Sequence, residues 1–256
     1  MQSERPAQPA PSEQAEPSGQ VESPGSSGSS ESSGQVASSG SSGSSDEALA
    51  AAIDVVAAAD PVLGRLVTAV GPIEHRPRNP DGPFGALVRA IVFQQLSGRS
   101  ASAIHQRVRA LVDGAFMPAA VAALSDDELR SAGLSAAKLA ALRDLSAKVL
   151  DGTVTLDGGT ALPDDEVVAQ LVTVRGIGRW TAEMFLMFEL RRLDVWPVDD
   201  LGVRQGYGVT WSLFPPPTAR ELMPLGDRFR PYRSVVARYC WEAVALADRG
   251  PDTALR

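Results

Sequence analysis

Apolar residues recur along this chain with the period of a helix, and almost nowhere with the two-residue alternation of a half-buried strand. Phe84, Leu87, Val88, Ile91 and Val92 follow the i, i+3, i+4, i+7, i+8 spacing that places them on one helix face. Ile104, Val108, Leu111 and Val112 resume the stripe after a break over Leu96 to Ser100. The stop and start signals are as regular as the stripes. Ser125-Asp126-Asp127-Glu128 has the form of a capping box, Gly133 is placed to end that short helix, and Leu139, Leu142, Leu145 and Val149 stripe the next. Pro163-Asp164-Asp165-Glu166 opens another, with acids in the first turn where the helix dipole favours them. Only Thr153 to Leu156 reads as a strand. The pattern predicts an all-α domain whose least regular internal connection is Gly71 to Pro83.

Residues 1–45 break this rhythm. They are built from Ser, Gly, Pro, Gln and Glu, with Val21 and Val36 as the only branched aliphatics, so they bury too little surface to offset chain entropy. The expectation is a disordered tail over 1–45 and a folded domain over 46–256. No basic start followed by an apolar run marks a secretory signal, and no run of apolar residues is long enough for a membrane span. A cytoplasmic, bacterial, monomeric protein is expected. The single Cys and two His exclude a disulfide scaffold, a cysteine-ligated cluster and a His-rich metal site. The net charge of -7 argues against a nucleic-acid partner until its distribution is read: residues 1–47 carry -6 and the rest only -1. A near-neutral body still allows one basic face.

Leu171 to Ala182 carries the most specific signal. A short helix runs into a turn with glycines at 176 and 178, and a second helix, from Trp180 to about Leu190, begins directly after it. Such a turn lets backbone approach a ligand and points unpaired N–H groups of the new helix outward, which suits phosphate. A plain αα-hairpin whose glycines serve packing reads equally well from Gly-x-Gly alone. Beyond the second helix, Pro197-Val198-Asp199-Asp200-Leu201 sets two carboxylates where the chain leaves a buried element. They serve either as helix caps or as groups aimed into a cleft.

These stretches resemble the helix-hairpin-helix DNA glycosylase superfamily, most closely its DNA-3-methyladenine glycosylase II branch in a compact form without an N-terminal β domain. Phe84 to Ser102, Gly133 to Leu156, and Pro231 to Ser234 leading to Trp241 fit the same branch, so the resemblance covers roughly residues 60–249. It implies a two-lobed helical fold and a monofunctional hydrolase of base excision repair. Such an enzyme flips an alkylated purine, of the 3-methyladenine or 7-methylguanine type, out of duplex DNA and cleaves its glycosidic bond. Asp200 falls on the family's catalytic position, with Asp199 beside it as a cap. Trp180 stands where bifunctional members place a Schiff-base lysine, which implies no lyase activity. Trp241 and Trp180 are the implied walls for a cationic base. Gln95 or Leu96 is the wedge that fills the gap left in the duplex. Gly176, Gly178, Arg179, Thr181 and Arg233 are implied to meet phosphate, with pairing to an acid in the core as the alternative for Arg233. The backbone carbonyls of Val172, Val174 and Ile177 match those that hold a structural Na⁺ or K⁺, and no cofactor is required. The rival readings are the same architecture acting on uracil, mismatched thymine or hypoxanthine, and a module that binds DNA without turnover. His75 and His105 are expected to carry no chemistry.

Overall fold

The structure, a computed structural model, describes residues 40–112, 114–156 and 162–249. Twelve α-helices follow one another among them: α1 Gly40–Ala59, α2 Pro61–Val70, α3 Gly82–Phe93, α4 Gly98–Ala110, α5 Pro118–Ala123, α6 Asp126–Ser131, α7 Ala136–Leu150, α8 Asp164–Leu171, α9 Arg179–Phe188, α10 Leu201–Trp211, α11 Ala219–Leu225 and α12 Arg233–Asp248. A 3₁₀ turn over Asp227–Phe229 leads into the last. The fold is all-α, and no strand occurs among the described residues.

The helices sort into two lobes. Both ends of the domain, α1 and α2 with α10 and α12, pack into one lobe, while α3 to α9 form the other and α3 touches α9. The stripes read from sequence are the buried faces: Phe84, Leu87, Val88, Ile91 and Val92 of α3, and Leu142 and Leu145 of α7. Helix ends are satisfied as the punctuation predicts. The Ser125–Glu128 capping box forms, a second joins Thr218 to Glu221, and Asp60 accepts the Val62 and Leu63 amides ahead of Pro61. None of the described helices is long and apolar enough to cross a membrane.

Two expectations are corrected. Helix α1 starts at Gly40, inside the segment expected to be a tail, and the Arg191 guanidinium donates to Ser45 Oγ at 2.5 Å. Residues 1–39, the rest of that segment, lie outside the described residues. Thr153 to Leu156 is a turn rather than a strand. Its amides bond one by one to Asp151 Oδ1, the Lys148 carbonyl and Gln170 Oε1, so no ladder partner is needed.

Candidate active site

The hairpin joins α8 to α9 through a turn pinned from within. Val174 and Ile177 are buried and hold it to the core, while Arg175, Gly176, Gly178, Arg179 and Trp180 are exposed. The two glycines answer different needs. Gly176 has φ +79°, the left-handed region that disfavours a side chain. Gly178, the N-cap of α9, is extended at φ −93°, ψ 173°, and a Cβ there would meet nothing within 4 Å. Nothing inside the protein demands a glycine at 178, so the space it leaves is space for something outside. Among the described residues no side chain caps α9, so the first amides of the helix lack the partner a capping side chain would give. The Arg179 guanidinium lies alongside, its Nε bonded to Glu183 Oε1 at 2.9 Å.

The carboxylate corner meets the start of α9 through Trp180. The chain leaves α9, runs extended through Asp194 to Trp196, and turns at Pro197, where the Asp200 amide bonds back to the Pro197 carbonyl at 3.0 Å. Asp200 is the N-cap of α10, its Oδ1 accepting the Val203 amide at 2.8 Å. This reverses the expectation that Asp199 caps; Asp199 is exposed. The same Oδ1 accepts the Trp241 indole N–H at 2.9 Å, and Oδ2 accepts that of Trp180 at 2.6 Å. A carboxylate is acceptor-only, and all three partners donate. Its position is therefore fixed from three elements, α9, α10 and α12. Gly202 makes this possible: a Cβ there would lie 2.8 Å from Trp241 Cδ1 and 3.2 Å from Asp200 Oδ1.

Asp200 is half-buried and Trp180 is 49% exposed, so the corner opens to solvent. Trp241 is half-buried, stacked on Phe188 at 5.9 Å between ring centroids and 23° between planes, and the Arg76 guanidinium covers Phe188 at 4.6 Å. The two tryptophans expected as walls are the indole donors that aim the carboxylate. Glu183, one turn along α9 from Trp180, is buried, and its Oε2 has no hydrogen-bond partner. Burial pushes its carboxyl above the usual range, against the pull of Arg179 and with Asp199 and Asp200 adding to the rise.

Two of the side chains expected to meet phosphate are used elsewhere. Thr181 is buried, because the inner face of α9 at Thr181, Ala182 and Phe185 packs on the core; only its backbone amide belongs to the hairpin. Arg233 is spent on Asp194 in a two-pronged pair, Nε to Oδ1 at 2.8 Å and Nη2 to Oδ2 at 3.0 Å, with its side chain 12% exposed. Together with the Val195 amide on Ser234 Oγ, that pair fastens the strip before Asp200 to the start of α12, the helix that carries Trp241. Gln95 and Leu96 stand exposed in the α3–α4 loop, Gln95 at φ +55°. Phe188, Gly202 and Glu183 escaped sequence reading, since no local spacing marks contacts made between helices distant in sequence.

Comparison with known proteins agrees with this geometry. The family model described as HhH-GPD superfamily base excision DNA repair protein matches residues 88–228. DNA-3-methyladenine glycosylase 1 of Schizosaccharomyces pombe is 34% identical over 188 residues, covering 72% of this chain and 82% of that protein. The solved structure of the S. pombe 3-methyladenine DNA glycosylase in complex with abasic DNA superposes with a TM-score of 0.66 at 30% identity, over 78% of this chain and all of that one. A DNA-3-methyladenine glycosidase from Bacillus halodurans superposes with a TM-score of 0.72 at 34% identity, over 77% and 91%. The chain belongs to the HhH-GPD superfamily of base excision DNA repair proteins.

Proposed function

We propose that this protein is a monofunctional DNA glycosylase that hydrolyses the N-glycosidic bond of alkylated purines in duplex DNA, with Asp200 as its catalytic carboxylate. The observation that carries the reading is a half-buried carboxylate locked by three N–H donors and open to solvent beside an uncapped helix N-terminus. As the glycosidic bond breaks, positive charge develops at C1′ of the sugar, and a fixed anion facing it stabilises that state without reorganisation. Asp200 also orients or deprotonates the attacking water. An alkylated purine leaves as a neutral base from a cationic one, so no strong general acid is required. Its positive charge favours the tryptophan rings, and the exposed ring of Trp180 and the half-buried Trp241 form the walls.

Phosphate next to the lesion is held by the amides after Gly178, with Gly176 shaping the turn and Arg179 adding charge. Gln95 or Leu96 fills the stack, which offsets part of the few kcal/mol that extrusion costs. The carbonyls of Val172, Val174 and Ile177 are neutral hard oxygens on one turn, a donor set that suits Na⁺ or K⁺. Such an ion would supply positive charge toward the phosphate. A DNA substrate puts the enzyme with the DNA, which in the bacterial cell expected from the sequence is the cytoplasm.

The test is incubation with methylated duplex DNA. The purified protein is expected to release 3-methyladenine and 7-methylguanine and to leave an abasic strand that breaks only on heat or alkali. An indole cannot form the imine that strand cleavage by a lyase requires. Strand cleavage in step with base release would overturn the monofunctional reading, and release of uracil or hypoxanthine alone would overturn the substrate class.

A further inference from the structure

The α3–α4 loop and the hairpin are separate in sequence, yet they are physically joined. Gln94, the last residue before the exposed Gln95, donates from its side-chain amide to the Gly176 carbonyl at 2.8 Å. A single face of α7 touches the end of α3, just before Gln94, and the hairpin turn around Gly176. Lys138 Nζ donates to the Val92 carbonyl at 2.5 Å, at the end of α3. Three residues on, the Ala141 methyl would be 3.4 Å from a Cβ at Gly176. One turn further, Asp144 Oδ2 accepts the Arg175 amide at 2.6 Å, and Lys148 Nζ bridges Asp144 Oδ2 and the Thr173 carbonyl. The turn is thus held at residues 173, 175 and 176 by side chains from outside it, while Val92 in the last turn of α3 and Gln94 at the start of the loop are held as well.

We propose that Gln94 is a positioning residue that keeps the α3–α4 loop in register with the phosphate-gripping hairpin, so that gripping the backbone and inserting Gln95 or Leu96 occur as one motion. A wedge helps extrusion only if it enters the stack opposite the nucleotide whose phosphate is being held, and independent loops would have to find that registry on every encounter. Gln94 itself cannot be the group in the stack while its amide is bonded to the hairpin. The non-glycine left-handed conformation at Gln95 is the local strain that turns the next side chains outward from this anchor. The α7 face is the rigid bar to which both are attached. Asp144 contributes as an ionised group: burial pushes its carboxyl up, but bonds from the Arg175 amide and Lys148 outweigh burial and hold it below the usual carboxylate range.

This inference rests on the glycosylase reading above, and the experiment separates the two. Single-turnover release of 7-methylguanine is measured for wild type, Gln94→Glu, Gln94→Met and Lys138→Met. One duplex places the lesion opposite cytosine, and a second places it opposite a synthetic abasic residue, where extrusion needs little help. A Glu at 94 has nearly the shape of Gln but turns an acceptor toward the Gly176 carbonyl. The expected result is a loss of about tenfold or more on the paired lesion and of about two- to threefold on the unpaired one, for both Gln94 variants and in weaker form for Lys138→Met. Equal loss on the two duplexes, or none on either, overturns the coupling while leaving the glycosylase reading intact. Wild type inactive on both duplexes overturns the reading itself, and the coupling with it.

Discussion

The hairpin turn and the Asp200 corner share Trp180 as a border, yet they are built on opposite principles. The hairpin has been emptied: no side chain caps α9, and Gly178 leaves open space that no internal contact requires. The corner has been filled: Asp200 receives three N–H donors from three helices, and Gly202 clears just enough room for the Trp241 edge. One region offers partial positive charge to whatever anion approaches, and the other presents a fixed negative charge. A nucleotide in the act of losing its base has the matching polarity, phosphate negative and C1′ turning positive. On the proposed function the emptied region serves binding and the filled region serves turnover, so substitutions in the two should separate along that line.

The largest separation is expected at Asp200. In Asp200→Asn the amide oxygen still caps α10 and accepts from Trp241, but the NH₂ group confronts the Trp180 N–H and the negative charge is gone. Single-turnover base release should fall by about 10³-fold, the scale of losing a principal electrostatic stabiliser, while affinity for product abasic duplex stays within roughly threefold. Equal loss of both would erase the division of labour.

Gly178→Val should give the mirror result. The folded chain has room for the side chain, so thermal stability should drop by only about 1 kcal/mol, the scale of an N-cap change. Affinity for abasic duplex should fall about tenfold or more, the scale of losing one phosphate contact made by charge-assisted N–H groups, with turnover at saturating DNA changed less. Unchanged affinity, measured by fluorescence anisotropy, would show that the open space faces no ligand.

The smallest effect concerns Glu183, which lies between the two regions. Its neighbours are Arg179 on the hairpin side and Asp199 and Asp200 on the other. Because burial raises its folded pKa, the native state holds this proton more tightly than the unfolded chain. Its contribution is then greatest below the ordinary value of 4.5 and declines as pH rises from there through the raised folded value. Glu183→Gln should remove that slope, so wild type loses melting temperature relative to the variant as pH rises. A difference that does not vary with pH would show that the buried carboxyl does not titrate in this window.

How much of this was written locally explains which expectations survived. The helix stripes, the Ser125–Glu128 box and the hairpin are short-range signals, and they appear where the spacing puts them. The Asp199-Asp200 pair was reachable because its place after a buried helix is also a matter of chain order, whereas the choice of Asp200 rested on the family resemblance. Which of Asp199 and Asp200 caps α10 was not reachable, because the choice depends on indole donors that arrive from positions 20 residues upstream and 41 downstream. The choice between phosphate and a core acid for Arg233 stayed open for the same reason, its partner Asp194 lying 39 residues away. The inward facing of the Thr181 side chain was not legible because the apolar residues of α9 cover most sides, so that sequence period alone does not say which face is inward. Gln94 carries no pattern of its own; only the fold shows that it touches the hairpin.

The most direct test of the account asks whether the Asp200 charge faces the anomeric carbon. Duplexes carrying a pyrrolidine, cationic at the sugar position, are titrated against otherwise identical duplexes carrying neutral tetrahydrofuran, with wild type and Asp200→Asn. The account predicts that wild type binds the cationic ring at least about tenfold more tightly, a preference worth about 1.4 kcal/mol, and that Asp200→Asn abolishes it without weakening the neutral complex. A preference that survives the substitution would place the carboxylate away from the reacting sugar and contradict the account.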